Sequence, residues 1–197
     1  MNVSAIKRTL GNMLMFEAIF FLLPLITAVI YWEGAFFAFL ISIAACLAVG
    51  GLCLIGKRND GEVYAKEGFI IVSLGWIVMS LFGSLPFVIS QEIPSFVDAL
   101  FETISGFTTT GASILSDVEA LSHCTIFWRS FTHWIGGMGV LVFLLAIIPL
   151  SGGSNINLMR AESPGPSVGK LVPKIRYTAR LLYIIYIILT LIEMVFL

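Results

Sequence analysis

Charge is what this sequence has least of. Asp, Glu, Lys and Arg make up 12% of its 197 residues, against 58% hydrophobic residues, 16 Phe among them, and a mean hydropathy of +1.01. A water-soluble domain of that makeup would aggregate, so the surface is meant for lipid. Three cysteines exclude a disulfide framework: Cys46 and Cys53 lie on different turns of one apolar run and Cys124 has no evident partner, which predicts free thiols. With two histidines and no cluster of Cys, His and carboxylates at ligand spacing, a resident metal is not expected. Neither a Ser/His/Asp constellation nor a pair of catalytic carboxylates is present, so an enzyme is disfavoured. The stretch AESPGPSVGK, residues 161–170, lacks the Gly-x-x-x-x-Gly-Lys-Ser/Thr spacing of a phosphate loop, and Pro164 and Pro166 deny it amide donors. It reads as a linker. No cofactor and no nucleic-acid partner are expected.

What the sequence does have is long apolar runs. A helix crossing a bilayer needs about 20 largely apolar residues, whereas a run of 10–14 is more often interfacial or re-entrant. Spans are read at 13–31, 35–55, 68–90, 126–150 and 181–197. The first is not taken for a signal peptide, because its apolar run is long and Tyr31, Trp32 and Glu33 replace a small-residue cleavage site. The last reaches residue 197 without a polar anchor, which suggests a truncated chain. Basic residues set the direction. Lys7 and Arg8 precede the first span; Lys57, Arg58 and Lys66 follow the second; Arg160, Lys170, Lys174, Arg176 and Arg180 follow the fourth. These are cytoplasmic by the positive-inside rule, while Glu33, Glu92, Asp98, Asp117 and Glu119 face out. The expected localisation is the cell (inner) membrane, multi-pass, with a cytoplasmic N-terminus.

Both ends of the stretch between the third and fourth spans, 91–124, must then lie outside. Within it Phe96, Leu100, Phe101 and Ile104 recur at spacings of three and four, one apolar helical face, and Ser95 can cap that helix. Asp98 and Glu102 fall on other faces of it. A helix of about 11 residues is roughly 16 Å long, half the hydrocarbon thickness. It can dip in but must return. The return is GFTTTGAS, residues 106–113, a stretch without charge. It also suits a turn in a surface loop, with Thr and Ser there for solubility. The half-length helix before it and the span after it favour a pore loop, since irregular backbone at membrane depth is tolerated where it lines a water-filled cavity. Thr109, Thr110, Gly111 and Ala112, supported by Thr108 and Ser113, offer carbonyls and hydroxyls that can replace the hydration shell of an alkali cation. Gly111 permits the positive φ that aligns neighbouring carbonyls, and the negative end of the short helix favours a cation.

The segments FETISGFTTTGASIL, FWRSFTHWIGGMGVLVFLLAIIPL and MRAESPGP together resemble the membrane subunit of the Trk/Ktr/HKT potassium transporters. The resemblance runs through nearly the whole chain and is most specific over 67–166. It implies four helix–pore-loop–helix repeats around one filter, with the glycine matching Gly111 as its signature, and K+ as the transported ion. Two helices before the first repeat are similar to the TrkH branch. That likeness implies a homodimer and a cytosolic nucleotide-binding regulatory subunit of the TrkA kind, beside lipid and the remaining repeats, as partners. The fold class is therefore an all-α membrane protein. An N-terminal two-helix hairpin (1–62) precedes a helix–pore-loop–helix repeat of potassium-channel type (63–152), a cytoplasmic linker (153–178) and the first helix of a second, truncated repeat (179–197). Three filter strands, the family's intramembrane gating loop and the basic residue of its last repeat have no counterpart here. Potassium uptake is the leading function; a sodium-permeable member of the fold and a non-conducting subunit that binds partner membrane chains are the alternatives.

Single residues carry further expectations. Arg129 is costly in hydrocarbon unless Glu102 or Asp98 pairs with it or it snorkels to the headgroups. His133 is read as a hydrogen-bonding packing residue. Gly136, Gly137 and Gly139 give close helix packing or gating flexibility. Glu17 and Glu193 lie inside apolar spans but outside the recognised motif. A Cβ at Gly111 is expected to find no room, and Gly106→Ala to be the milder change.

Overall fold

The computed structural model describes residues 2–55, 65–139 and 175–196, and among them every regular element is a helix. The first helix, α1 (Val3–Phe20), runs into α2 (Leu22–Ile30) across Phe21, and together they form one apolar stretch of 28 residues. The interruption falls one turn before Pro24, which has no N–H for the Phe20 carbonyl and crowds that turn. Asn2 caps α1 by accepting from the Ala5 N–H at 3.1 Å. The helix therefore begins well before residue 13, and Lys7 and Arg8 stand exposed on its early turns instead of in a preceding loop. Apolar periodicity marks where hydrocarbon begins; the cap marks where the helix does.

After a short turn, α3 (Phe36–Leu54) packs back against α1. Glycines set their approach: a Cβ on Gly11 would lie 2.8 Å from the Cys53 Cβ and 2.9 Å from the Gly50 carbonyl oxygen. That is the small-residue contact by which helices associate in lipid. Next come α4 (Ala65–Gly83) and α5 (Leu85–Ile89), a single apolar stretch broken at Ser84 just before Pro86. Val3–Ile30, Phe36–Leu54 and Glu67–Ile89 are, among the described residues, the helices long and apolar enough to cross a membrane.

The short helix α6 (Phe96–Phe107) starts where the sequence places it, with Ser95 Oγ accepting from the Asp98 N–H at 3.4 Å. Helix α7 (His123–Met138) ends at Gly139, whose φ of +75° is a conformation glycine adopts freely. An unbroken helix over 126–150 is thus corrected at Gly139; residues 140–150 and most of the linker lie outside the described residues. The last helix, α8 (Ile175–Phe196), lies against α7: the Tyr186 hydroxyl donates to the Trp134 carbonyl (3.0 Å) and the Trp134 indole to Thr190 Oγ1 (3.2 Å).

Trp128 is the hub of the core. It is fully buried on α7, its indole N–H donates to the Gly83 carbonyl of α4 at 2.8 Å, and its ring lies 4.4 Å from Phe21 and 6.3 Å from Phe107. One aromatic side chain thereby ties the end of α1, the end of α4 and the end of α6 to α7, with the buried indole donor satisfied.

Candidate functional site

The site is built on the C-terminal end of α6. Helical hydrogen bonding gives way there in three steps: Thr108 N–H to the Ile104 carbonyl, Thr109 N–H to Gly106 and Thr110 N–H to Ser105, each 2.9 Å. Thr109 takes φ +55° and Gly111 φ +75°. A positive φ on a β-branched residue is rare and costs energy. Local bonds offset that cost. Thr108 Oγ1 donates to the Ile104 carbonyl and shares a hydrogen with Thr110 Oγ1, both 2.7 Å, while Thr109 Oγ1 donates to the Thr108 carbonyl at 2.7 Å. The sequence pointed to Gly111 for this conformation; it gave no sign of Thr109.

Two buried side chains of α6 hold the segment down. Ser105 Oγ donates to the Ala112 carbonyl at 2.5 Å. Glu102, 1% exposed, accepts from Ser113 Oγ (3.0 Å), the Ile114 N–H (3.1 Å) and Arg129 Nε (2.5 Å). Of the carbonyls read as cation ligands, that of Ala112 is thus already turned to α6. Those of Thr109, Thr110 and Gly111 accept no hydrogen bond among the described residues, and residues 108–114 are exposed. The arrangement presents neutral oxygens outward and keeps its one carboxylate neutralised behind them.

Arg129, 17% exposed, pairs with the buried Glu102, the partner that lowers the cost of holding its charge near hydrocarbon. His133 Nδ1 lies 3.0 Å from the Arg129 carbonyl, the packing role expected of it. The glycines reverse one expectation. A Cβ on Gly106 would overlap the Thr132 hydroxyl, and one on Gly136 would overlap the Phe107 carbonyl, so α6 and α7 touch backbone to backbone. Gly106 is therefore a tight position and not the milder one. At Gly111 a Cβ would meet nothing within 4 Å, so what that position demands is the positive φ alone. The apolar stripe of α6 also faces away from this chain: Phe96, Phe101 and Ile104 are exposed, while Ala99, Glu102, Thr103 and Gly106 are buried.

Sequence reasoning missed the role of Glu33. Its carboxylate receives the His123 N–H (2.7 Å), the Cys124 N–H (2.9 Å) and His123 Nδ1 (2.8 Å), closing the N-terminus of α7 from the turn between α2 and α3. Glu92 accepts the Ser122 N–H at 3.2 Å, and Tyr31 stacks on His123 at 4.1 Å. Burial acts to raise the Glu33 carboxyl, but the donors from Cys124 and His123 outweigh it and hold it below its ordinary value. A cap supplied from so far along the chain leaves no local signature.

Comparison with known proteins points to one family from three directions. A family model described as "TrkH: Cation transport protein" matches residues 35–197. The Trk system potassium uptake protein TrkH of Salmonella typhimurium is 40% identical over 193 residues, covering 96% of this chain and 40% of the relative. The Trk system potassium uptake protein TrkG of Escherichia coli K12 is 34% identical over 191 residues, 95% of this chain and 39% of the relative. Among solved structures, the potassium transporter TrkH from Vibrio parahaemolyticus superposes with a TM-score of 0.77 at 34% identity, covering 97% of this chain and 38% of that one. The chain spans about two fifths of the length of the curated relatives it matches.

Proposed function

This chain belongs to the TrkH family of cation transport proteins, and on that premise we propose that it takes part in potassium uptake, contributing one strand of a four-repeat ion filter. The strand is formed by Thr109, Thr110, Gly111 and Ala112, with Thr108, Ser113, Glu102 and Arg129 in support. The observation that carries the reading is the exposed run of Thr and Gly whose carbonyls at 109–111 take no partner among the described residues, mounted on the C-terminus of a short helix. A potassium ion entering such a filter exchanges water for these oxygens, and the negative end of α6 favours it there. The Glu102–Arg129 pair fixes the strand without placing a net charge behind it.

The same reading makes 63–152 a helix–pore-loop–helix repeat, 1–62 a hairpin before it, and the stretch from 153 a cytoplasmic linker that gives way to the first helix of a further repeat at Ile175, four residues before the expected boundary at 179. It places the N-terminus in the cytoplasm of a cell whose plasma membrane holds the protein. A second copy and a cytosolic nucleotide-binding subunit are its expected partners.

The test is rubidium uptake by the complete protein in cells lacking their own potassium uptake, with sodium as competitor. Gly111→Ala should reduce uptake sharply or abolish the preference over sodium at unchanged expression. Unaltered uptake and selectivity would remove Gly111 from the filter, and wild-type uptake indifferent to sodium would favour a sodium-permeable member of the fold.

A further inference from the structure

Glu17 sits about halfway along the first apolar stretch, Val3–Ile30, and is 0% exposed. Neither of its carboxyl oxygens has a hydrogen-bond partner among the described residues. It is tightly enclosed. At Gly83 of α4, the point where a Cβ would stand is 3.0 Å from Glu17 Oε1, 2.9 Å from the Thr103 methyl and 3.1 Å from the Phe107 ring. The carboxyl therefore lies behind the last two turns of α6, the helix that carries the proposed filter strand.

Which species occupies that place follows from the neighbours. Thr103 spends its hydroxyl on the Ala99 carbonyl (2.8 Å), and Gly83 gives its own carbonyl to Trp128 (2.8 Å). From α3 the titratable group within electrostatic reach is the Cys46 thiol, an acid like Glu17 itself. On α6 the nearest charge in sequence, Glu102, is taken up by Arg129, Ser113 and Ile114. Glu67 of α4 lies at the far end of that helix, with the Asn2 N–H on Oε1 at 3.2 Å. None of these offers a cation to a carboxylate, and an ionised group so enclosed finds no compensation among the described residues.

We infer that Glu17 is a buried proton-binding site at the junction of the N-terminal hairpin and α6, occupied by a proton when the two are packed. The ligand is the proton itself, and the site makes the seating of α6 conditional on it. Ionisation would leave an uncompensated carboxylate beside Gly83, Thr103 and Phe107, which disfavours that packing.

The measurement is infrared difference spectroscopy of the complete protein in lipid at neutral pH, comparing wild type with Glu17→Gln. The expected result is loss of a carbonyl stretch in the protonated-carboxyl region. Glu17→Met, apolar and of similar length, gives the same subtraction should the amide not fold. It is expected to unfold no more than about 4 °C below wild type, because it replaces a neutral group. Loss of an ionised-carboxylate band in place of the protonated one would overturn the site, as would no loss in the protonated region from either variant. The readout does not use ion flux, so it stands or falls apart from the proposed potassium uptake.

Discussion

Glu102 receives the returning strand through Ser113 and Ile114 and the next helix through Arg129, which makes it the residue on which loop and helix depend together. Glu102→Gln leaves a guanidinium that is 17% exposed without its counter-charge, at a cost of about 3 kcal/mol. Adding Arg129→Gln should recover part of that loss. Thermal unfolding of the two single variants and the double variant in detergent measures the coupling, and additive effects would mean that the pair does not stabilise the loop. The two glycines of the site separate shape from conformation. Gly106→Ala forces α6 off Thr132 and should destabilise by about 1–3 kcal/mol, while Gly111→Ala has open space and bears only the left-handed backbone cost of about 1–2 kcal/mol. Gly111→Ala should nevertheless be the variant that loses rubidium selectivity, since its carbonyl is the one that turns. Equal unfolding midpoints for wild type and Gly106→Ala would contradict the close contact of Gly106 with the Thr132 side chain. The need for a positive φ at Gly111 was legible in the sequence. The crowding at Gly106 was not, because Thr132 comes near it only through the packing of α7.

At the scale of elements, the apolar runs located the helices and the prolines and glycines cut them. The runs at 13–31, 35–55 and 68–90 each correspond to an observed helical stretch, and Ser95 marks the start of α6 as a cap should. Pro24 and Pro86 break two of those stretches and Gly139 ends α7, features that a hydropathy window averages away. The cap on α7 was out of reach for a different reason: Glu33 meets His123 and Cys124 only in three dimensions. That cap predicts a pH dependence whose sign is fixed. The Glu33 carboxyl is held below its ordinary value of 4.5, so the stability it contributes is fully present above that value and is lost as the pH falls through the lowered one. Glu33→Gln should therefore unfold earlier than wild type at neutral pH, by about 0.5–2 kcal/mol for a charged cap at a helix N-terminus. The gap should close in acid. A gap of the same size at both pH values would show that the charge of Glu33 contributes nothing.

Taken whole, the described part of the molecule has two outward surfaces of opposite character. The apolar faces of α3, with Phe37, Leu40, Ile41 and Leu52, suit lipid, while the segment 108–114 turns exposed polar backbone outward beside the exposed Phe96, Phe101 and Ile104 of α6. Lipid cannot satisfy carbonyls, and each one left facing hydrocarbon costs several kcal/mol. The proposed function resolves the mismatch by supplying three more strands around a water-filled axis. One strand by itself holds a quarter of such a ring. A protein of these 197 residues alone should accordingly insert into a bilayer with Glu33 and Glu119 outside, and should not conduct. Cysteine placed at either position should react with a membrane-impermeant reagent in intact cells, which checks the insertion. The conductance is checked by rubidium flux into liposomes that hold only the purified 197-residue protein, beside liposomes that hold the complete transporter. Four copies would bring four strands, but each also brings the hairpin of α1 to α3, and those helices stand in the way of tight fourfold closure. Potassium-selective flux from the 197-residue protein that disappears in Gly111→Ala would overturn this and show that four identical chains close the ring.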